Sequence, residues 1–300
     1  MRCKLGGYFS ALREVDTSKG TFNADAWLWS ICPDGEIEPL KSMEFTNAVQ
    51  VAGSLDSSQD RPGGVWRQRK ISGTFKADFD LRNYPFDQHE LPIGLEEGTL
   101  DNTGLVYVAD IPNSGVAKES VPDEWKVVGF RVKPGDHVWR TNFGDPLLEP
   151  GAQSNYAHVE LIMKVARTDA TTFWRIAFPV YVAAGLALIT LMMQIEDGRK
   201  VLNPRVGVLA ACLFAIVFNL NSSNDALGNP PYLTLVDGMN LSALVLILFT
   251  TAAGVASGVL ADRGLTEKRL RRLDFMLLAV GSVSFIVANV VMVTRAMRAE

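Results

Sequence analysis

The chain has 300 residues, 48% of them hydrophobic, with 29 Lys+Arg against 33 Asp+Glu and a net charge of −4. Its mean hydropathy of +0.12 averages two unlike parts: residues 1–170 hold 18 basic and 25 acidic side chains, residues 171–300 only 11 and 8. The apolar content excludes intrinsic disorder, and the acidic first part excludes a nucleic-acid-binding domain.

Met1–Tyr8 carries Arg2 and Lys4 with no apolar run behind them, so a secretory signal is not expected in these residues. The stretch Phe22–Trp29 alternates, with Phe22, Ala24, Ala26 and Leu28 on one face. Turn signals follow at Pro33-Asp34-Gly35, Pro62-Gly63-Gly64, Pro134-Gly135 and Pro150-Gly151. Tyr156–Val165 alternates again, placing Val159, Leu161, Met163 and Val165 together. Short strands between Pro/Gly turns predict an antiparallel β-sandwich over residues 1–170. The acid pairs Glu96-Glu97 and Asp123-Glu124 fall far short of a Ca²⁺ ligand set and read as solvated turns. Cys3, Cys32 and Cys212 are odd in number and widely spaced, and predict neither a disulfide framework nor a metal site. No metal and no cofactor is expected.

Beyond residue 170 the pattern changes. Ile176–Ile195, Val206–Asn224, Gly238–Ala261 and Phe275–Thr294 are free of charge over 20, 19, 24 and 20 residues. A helix needs about 18 or more such residues to cross a hydrocarbon core of about 30 Å. Four in succession exclude a soluble protein and predict a four-transmembrane-helix bundle over 171–300, with spans at about 173–194, 204–224, 232–260 and 272–295. The link between spans one and two carries Arg199, Lys200 and Arg205; that between three and four carries Arg263, Lys268, Arg269, Arg271 and Arg272. The link between two and three has no basic residue, only Asp225. Basic links stay in the cytoplasm. The expectation is therefore a multi-pass protein of the cell (inner) membrane with its N-terminal domain extracytoplasmic or periplasmic. Its export signal is expected to have been removed or to lie outside the present sequence.

One segment carries a motif. Ala77–Leu91, with the core Tyr84-Pro85-Phe86-Asp87, resembles the signature loop of the pentameric ligand-gated ion channels, the Cys-loop receptor family. Ala77 and Leu91 stand where animal members have the loop cysteines, a departure shared with the prokaryotic branch. Further likenesses follow in order: Thr21–Asp34 to the second strand, Trp125-Lys126-Val127-Val128 to a later strand, and Arg167 to an Arg ahead of Pro179. Arg205-Val206-Gly207 is similar to the start of the pore helix, and Tyr232 with Asp237 to the start of the third span.

The resemblance implies a homopentamer in the lipid bilayer that passes small inorganic ions when its extracytoplasmic domain takes up a small-molecule or ion ligand. It brings Asp34, Asp87 and Arg167 together for domain coupling, where a guanidinium fork can bridge carboxylates, with Pro230, Pro231 and Tyr232 as a stiff lever. Counted from Arg205, the pore-facing positions are Gly207, Ala211, Phe214, Phe218 and Asn221. Aligning on Phe218-Asn219 instead gives Val206, Ala210, Leu213, Val217 and Leu220. Either register makes an apolar gate that closes by dewetting. Asn219, Asn221, Ser222, Ser223, Asn224 and Asp225 predict a wet outer mouth. Charge selectivity stays open: Leu202-Asn203-Pro204 lacks the usual inner acid, while Glu196, Asp197 and Asp225 point toward cations. A ligand pocket is implied under the loop Gly144–Asn155, with Tyr107, Phe143 and Tyr156 as its aromatics.

Two other classes compete with a channel. An enzyme finds little support, since His89, His137 and His158 have no nucleophile partner and no HExxH, GxSxG or CxxC motif occurs. A non-conducting membrane-tethered sensor or adhesion module of the same fold fits the composition equally well.

Overall fold

The computed structural model describes residues 1–146, 149, 151–168, 170–193 and 202–298. Pro150, Glu196, Asp197, Arg199 and Lys200 lie outside the described residues. The chain forms two compact units: Met1–Phe79 with Gln88–Thr168, and Asp80–Asp87 with Asp169–Glu300. The segment Asp80–Asp87 thus groups with the helical unit although it is flanked in sequence by the first unit.

Among the described residues the first unit has ten strands: β1 (Arg2–Asp16), β2 (Thr21–Cys32), β3 (Met43–Phe45), β4 (Ala48–Arg61), β5 (Gly64–Lys76), β6 (Gln88–Asp101), β7 (Val106–Ala109), β8 (Gly115–Val116), β9 (Trp125–Trp139) and β10 (Ser154–Arg167). A short helix, α1 (Pro39–Ser42), precedes β3. One sheet runs β4-β5-β2-β1-β7, with β8 also on β1; the other runs β3-β6-β10-β9. The two inner faces meet in one apolar core. Phe22, Ala24, Ala26 and Leu28 are buried there, as are Val159, Leu161, Met163 and Val165, so the alternation located both inner faces. Gly7 allows the sheets to approach, because a Cβ there would sit 2.2 Å from Leu161 Cδ1.

Three expectations need correction. The sandwich is not wholly antiparallel, since β7 and β8 run parallel to β1. Pro134-Gly135 is no turn but lies inside β9, opposite Val159 and His158. Because β9 is an edge strand, a proline can face its missing N–H outward. Cys3 and Cys32 form a disulfide, their Cα atoms 4.5 Å apart. The pairing of Lys4 with Ile31 places them opposite one another on adjacent strands, a consequence of register that cysteine spacing does not reveal.

The second unit holds α2 (Ala170–Ile189), α3 (Leu202–Ala226), α4 (Leu235–Asp262) and α5 (Glu267–Arg298), with a 3₁₀ turn at Thr190–Met192. Among the described residues, four segments are long and apolar enough to cross a membrane: Thr171–Met192, Pro204–Ala226, Leu235–Asp262 and Glu267–Arg298. The shortest has 22 residues and spans about 33 Å at 1.5 Å per residue. Helix α4 starts with a reciprocal cap, in which Thr234 Oγ1 accepts from Asp237 N–H and Asp237 accepts from Thr234 N–H. Polar side chains also join the helices. Asn219 donates to Asn240 at 3.0 Å across α3 and α4, and Asn289 donates to Ser242 at 3.1 Å across α5 and α4.

Candidate functional site

Helix α3 is apolar on nearly every side, yet it packs on one stripe only. Arg205, Leu209, Cys212, Ile216 and Ser223 are buried, and the apolar members meet Val180 and Ala183 of α2 and Ala243 and Ile247 of α4. At about 100° per residue, this stripe has a defined opposite direction. Gly207, Ala211, Phe214, Phe218 and Asn221 centre about 200° from it, and Val206, Ala210, Leu213, Val217 and Leu220 only about 100°. Exposure agrees: Phe214 and Phe218 are 73% and 76% exposed, Leu213 and Val217 39% and 40%. The first set therefore faces directly away from the other helices and the second lies on a flank. Of the polar run at the C-terminal end of α3, Asn219 is committed to Asn240 and Ser223 is buried, whereas Asn221, Ser222 and Asp225 are exposed.

The N-terminal end of α3 is fixed differently. Arg205 is buried, 3.8 Å from Asp274 of α5, and donates to the Met193 carbonyl after α2. Asp274 also accepts from Ser257 of α4. One polar hub thus ties the start of α3 to the other three helices.

The loop Asp80–Asp87 is built into this unit. Leu81 N–H donates to the Tyr232 hydroxyl at 3.0 Å, and the Arg82 guanidinium lies 5.3 Å from the centre of the Tyr232 ring. The Arg82 carbonyl accepts from Leu235 N–H, in the first turn of α4, at 2.8 Å. Phe86 packs on Phe173 of α2, ring centres 5.4 Å apart, beside Ala177 and Met239. Pro230 and Pro231 lead directly into Tyr232, and Asp87, at the end of the loop, is buried. Tyr232→Phe removes the acceptor of Leu81 N–H and should cost about 1–3 kcal/mol of unfolding free energy. Thermal unfolding of the full-length protein in detergent measures this; an unchanged midpoint would mean that the hydroxyl contributes nothing to docking the loop.

Asp34 and Arg167, the other residues expected to couple the domains, lie in the first unit. Asp34 is exposed and accepts from Glu36 N–H at 2.9 Å in the turn after β2. Arg167 ends β10 with its guanidinium 4.3 Å from the centre of the Trp125 ring.

The aromatic set divides. Tyr107 belongs to the core: it is buried, and its hydroxyl donates to Glu97 at 2.9 Å. Burial, with the Glu97 charge, pushes its phenol far above the ordinary value. Phe143 and Tyr156 do meet, ring centres 6.3 Å apart, and Trp139 joins them at 5.9 Å from Phe143. Trp139 Nε1–H donates to the buried Glu96 at 2.7 Å, and His137 Nδ1 pairs with the other oxygen of Glu96. Glu96 and Glu97 are accordingly buried hydrogen-bonded acids on β6, not solvated turns. The sequence reading missed Trp139, His137 and Glu96, which converge only through the pairing of β9 and β6 with β10.

His158 lies beside this group, 5.7 Å from the His137 ring centre. Burial pushes it below its ordinary 6.5, assisted by His137 and Lys133 and opposed by Glu160 and Glu96. The folded state thus favours neutral His158, so its contribution to stability is present above pH 6.5 and is lost as pH falls through the folded value. Below pH 6.5 the unfolding midpoint should fall more steeply in the wild type than in His158→Gln. Parallel pH profiles would remove His158 from that dependence.

No protein-family model matches the chain, and no curated protein matches it.

Proposed function

We propose that the protein is an ion channel of the pentameric ligand-gated type. Five copies surround a path lined by α3, and the sandwich receives an extracytoplasmic stimulus. The observation that carries this reading is the one-sided burial of α3. Membrane-length apolar helices gain little by associating with their apolar faces alone, since lipid is equally apolar. Here the unburied stripe is graded, with small residues at Gly207 and Ala211, rings at Phe214 and Phe218, and polar groups at Asn221 and Asp225. Polar side chains on a spanning helix call for water or partners, and a shared aqueous path supplies both. Stacked phenyl rings around that path form a gate that excludes water when narrow.

The loop Asp80–Asp87 supports the coupling half of the proposal. The loop lies in the chain between β5 and β6, and it is hydrogen-bonded to Tyr232 and to the first turn of α4. The Cys3–Cys32 disulfide supports an extracytoplasmic sandwich, since disulfides persist in oxidising compartments. For the permeant ion, Asp225 continues the outward stripe and Arg205 is buried in an ion pair, which favours cations.

Reconstitution in planar bilayers tests the proposal. Unitary currents reversing near the cation equilibrium potential in asymmetric salt are expected. A folded pentamer that stays silent across pH, divalent cations and amines, and with a hydrophilic gate, would favour the sensor or adhesion reading.

A further inference from the structure

We infer that the helical unit binds a small protonated amine between the end of α3 and the start of α4. The inference rests on this unit alone and is independent of conduction. A cavity of about 360 Å³ lies there. Asp237, Asn224 and Asn229 supply polar groups to its wall, and Leu220, Leu233 and Leu241 form an apolar side. Among the described residues, Asp237 is the one charged residue in this wall, and it is buried.

The cap of α4 uses one oxygen of Asp237 and leaves the other. Oδ2 accepts from Thr234 N–H and from the Thr234 hydroxyl, both at 2.8 Å. Oδ1 is buried and has no hydrogen-bond partner among the described residues. A buried carboxylate oxygen without a donor is costly, and the reciprocal cap is already complete without it. The neighbouring helix end favours the same sign of ligand. Asn224 stands in the last turn of α3, where unpaired carbonyls attract a cation. Arg82 does not serve Asp237: it lies on the Tyr232 ring, 3.7 Å from Asp80, and is not in the cavity wall.

Size and lining select the kind of cation. The cavity is far larger than the share of about 30 Å³ that one water takes, and its leucines offer water no hydrogen bond. A calcium ion takes about six or more oxygen ligands, and this wall has one carboxylate. A primary ammonium concentrates its donors at one end, which suits Asp237 and the amide oxygens of Asn224 and Asn229. Its hydrocarbon body then covers Leu220, Leu233 and Leu241. A cavity of this size, apolar with a few convergent polar groups, fits a small organic ligand.

The test uses the full-length protein in detergent and a diazirine-bearing cyclohexylamine as photolabel, with labelled peptides located by mass spectrometry. Label should appear within residues 220–241, and cyclohexylamine should protect that segment saturably. Cyclohexanol, with the same body and no charge, should not protect at the same concentration. Asp237→Asn keeps an oxygen for the cap of α4 and removes the charge. It should weaken protection on the order of tenfold or more, the worth of a hydrogen bond to a charged partner. Asp225→Asn, at an exposed acid in the last turn of α3 outside the wall, should change protection little. Label confined to other segments, equal protection by the alcohol, or equal loss in both variants would each overturn the assignment. Should Asp237→Asn not fold, the wild-type comparison of amine with alcohol decides, and equal protection by the two contradicts the site.

Discussion

Phe214→Asn should leave the protein conducting at rest. A buried phenyl ring is worth about 1.5–3 kcal/mol relative to its exposed state, and each copy in a ring contributes to keeping the constriction dry. On the proposed channel reading, replacing that ring with an amide gives water a hydrogen-bonding surface at the gate. Resting current in bilayers, without stimulus, should rise by at least about tenfold, which needs a barrier change of only about 1.4 kcal/mol. Phe218→Asn should act in the same direction. Leu213→Asn lies on the flank of α3 and should impair assembly before it changes the closed state. If Leu213→Asn opens the path and Phe214→Asn does not, the outward stripe of α3 is not the lining.

The second large effect is expected at the hub of the helical unit. Asp274→Ala leaves the buried Arg205 guanidinium without its carboxylate, at 3.8 Å in the native protein. Removing one partner of a buried ion pair costs about 3–5 kcal/mol, because the remaining charge is stranded in an apolar surround. Replacing both by apolar side chains of similar volume is often close to neutral. Asp274→Leu/Arg205→Met should therefore regain most of the stability that Asp274→Ala loses, measured by denaturant unfolding in mixed micelles. Additive losses in the double variant would show that the two residues stabilise the unit independently.

These two sites differ in how far the sequence revealed them. The spans were legible because apolar length is a local property, and the strand faces of Phe22–Leu28 and Val159–Val165 because alternation is local too. The face of α3 turned away from the other helices was not, since apolar residues occupy both candidate stripes and only packing against α2 and α4 distinguishes them. Arg205 read as the start of a helix; its partner Asp274 lies on α5 and comes near it only in the folded bundle. The Glu96, His137 and Trp139 cluster has the same origin, as does the Cys3–Cys32 bridge: strand register brings together residues whose spacing carries no signal. Tyr107 shows the converse, an aromatic residue in a suitable order along the chain that the fold commits to the core.

The central claim is that the outward stripe of α3 lines an ion path. Single cysteines along α3 in a Cys212→Ala background, exposed to a charged thiol reagent during current recording, test it most directly. Currents should change on modification at Gly207, Ala211, Phe214, Phe218 and Asn221, and stay constant at Leu209, Ile216 and Ser223. Modification that follows the buried stripe, or that shows no helical period, would contradict the account.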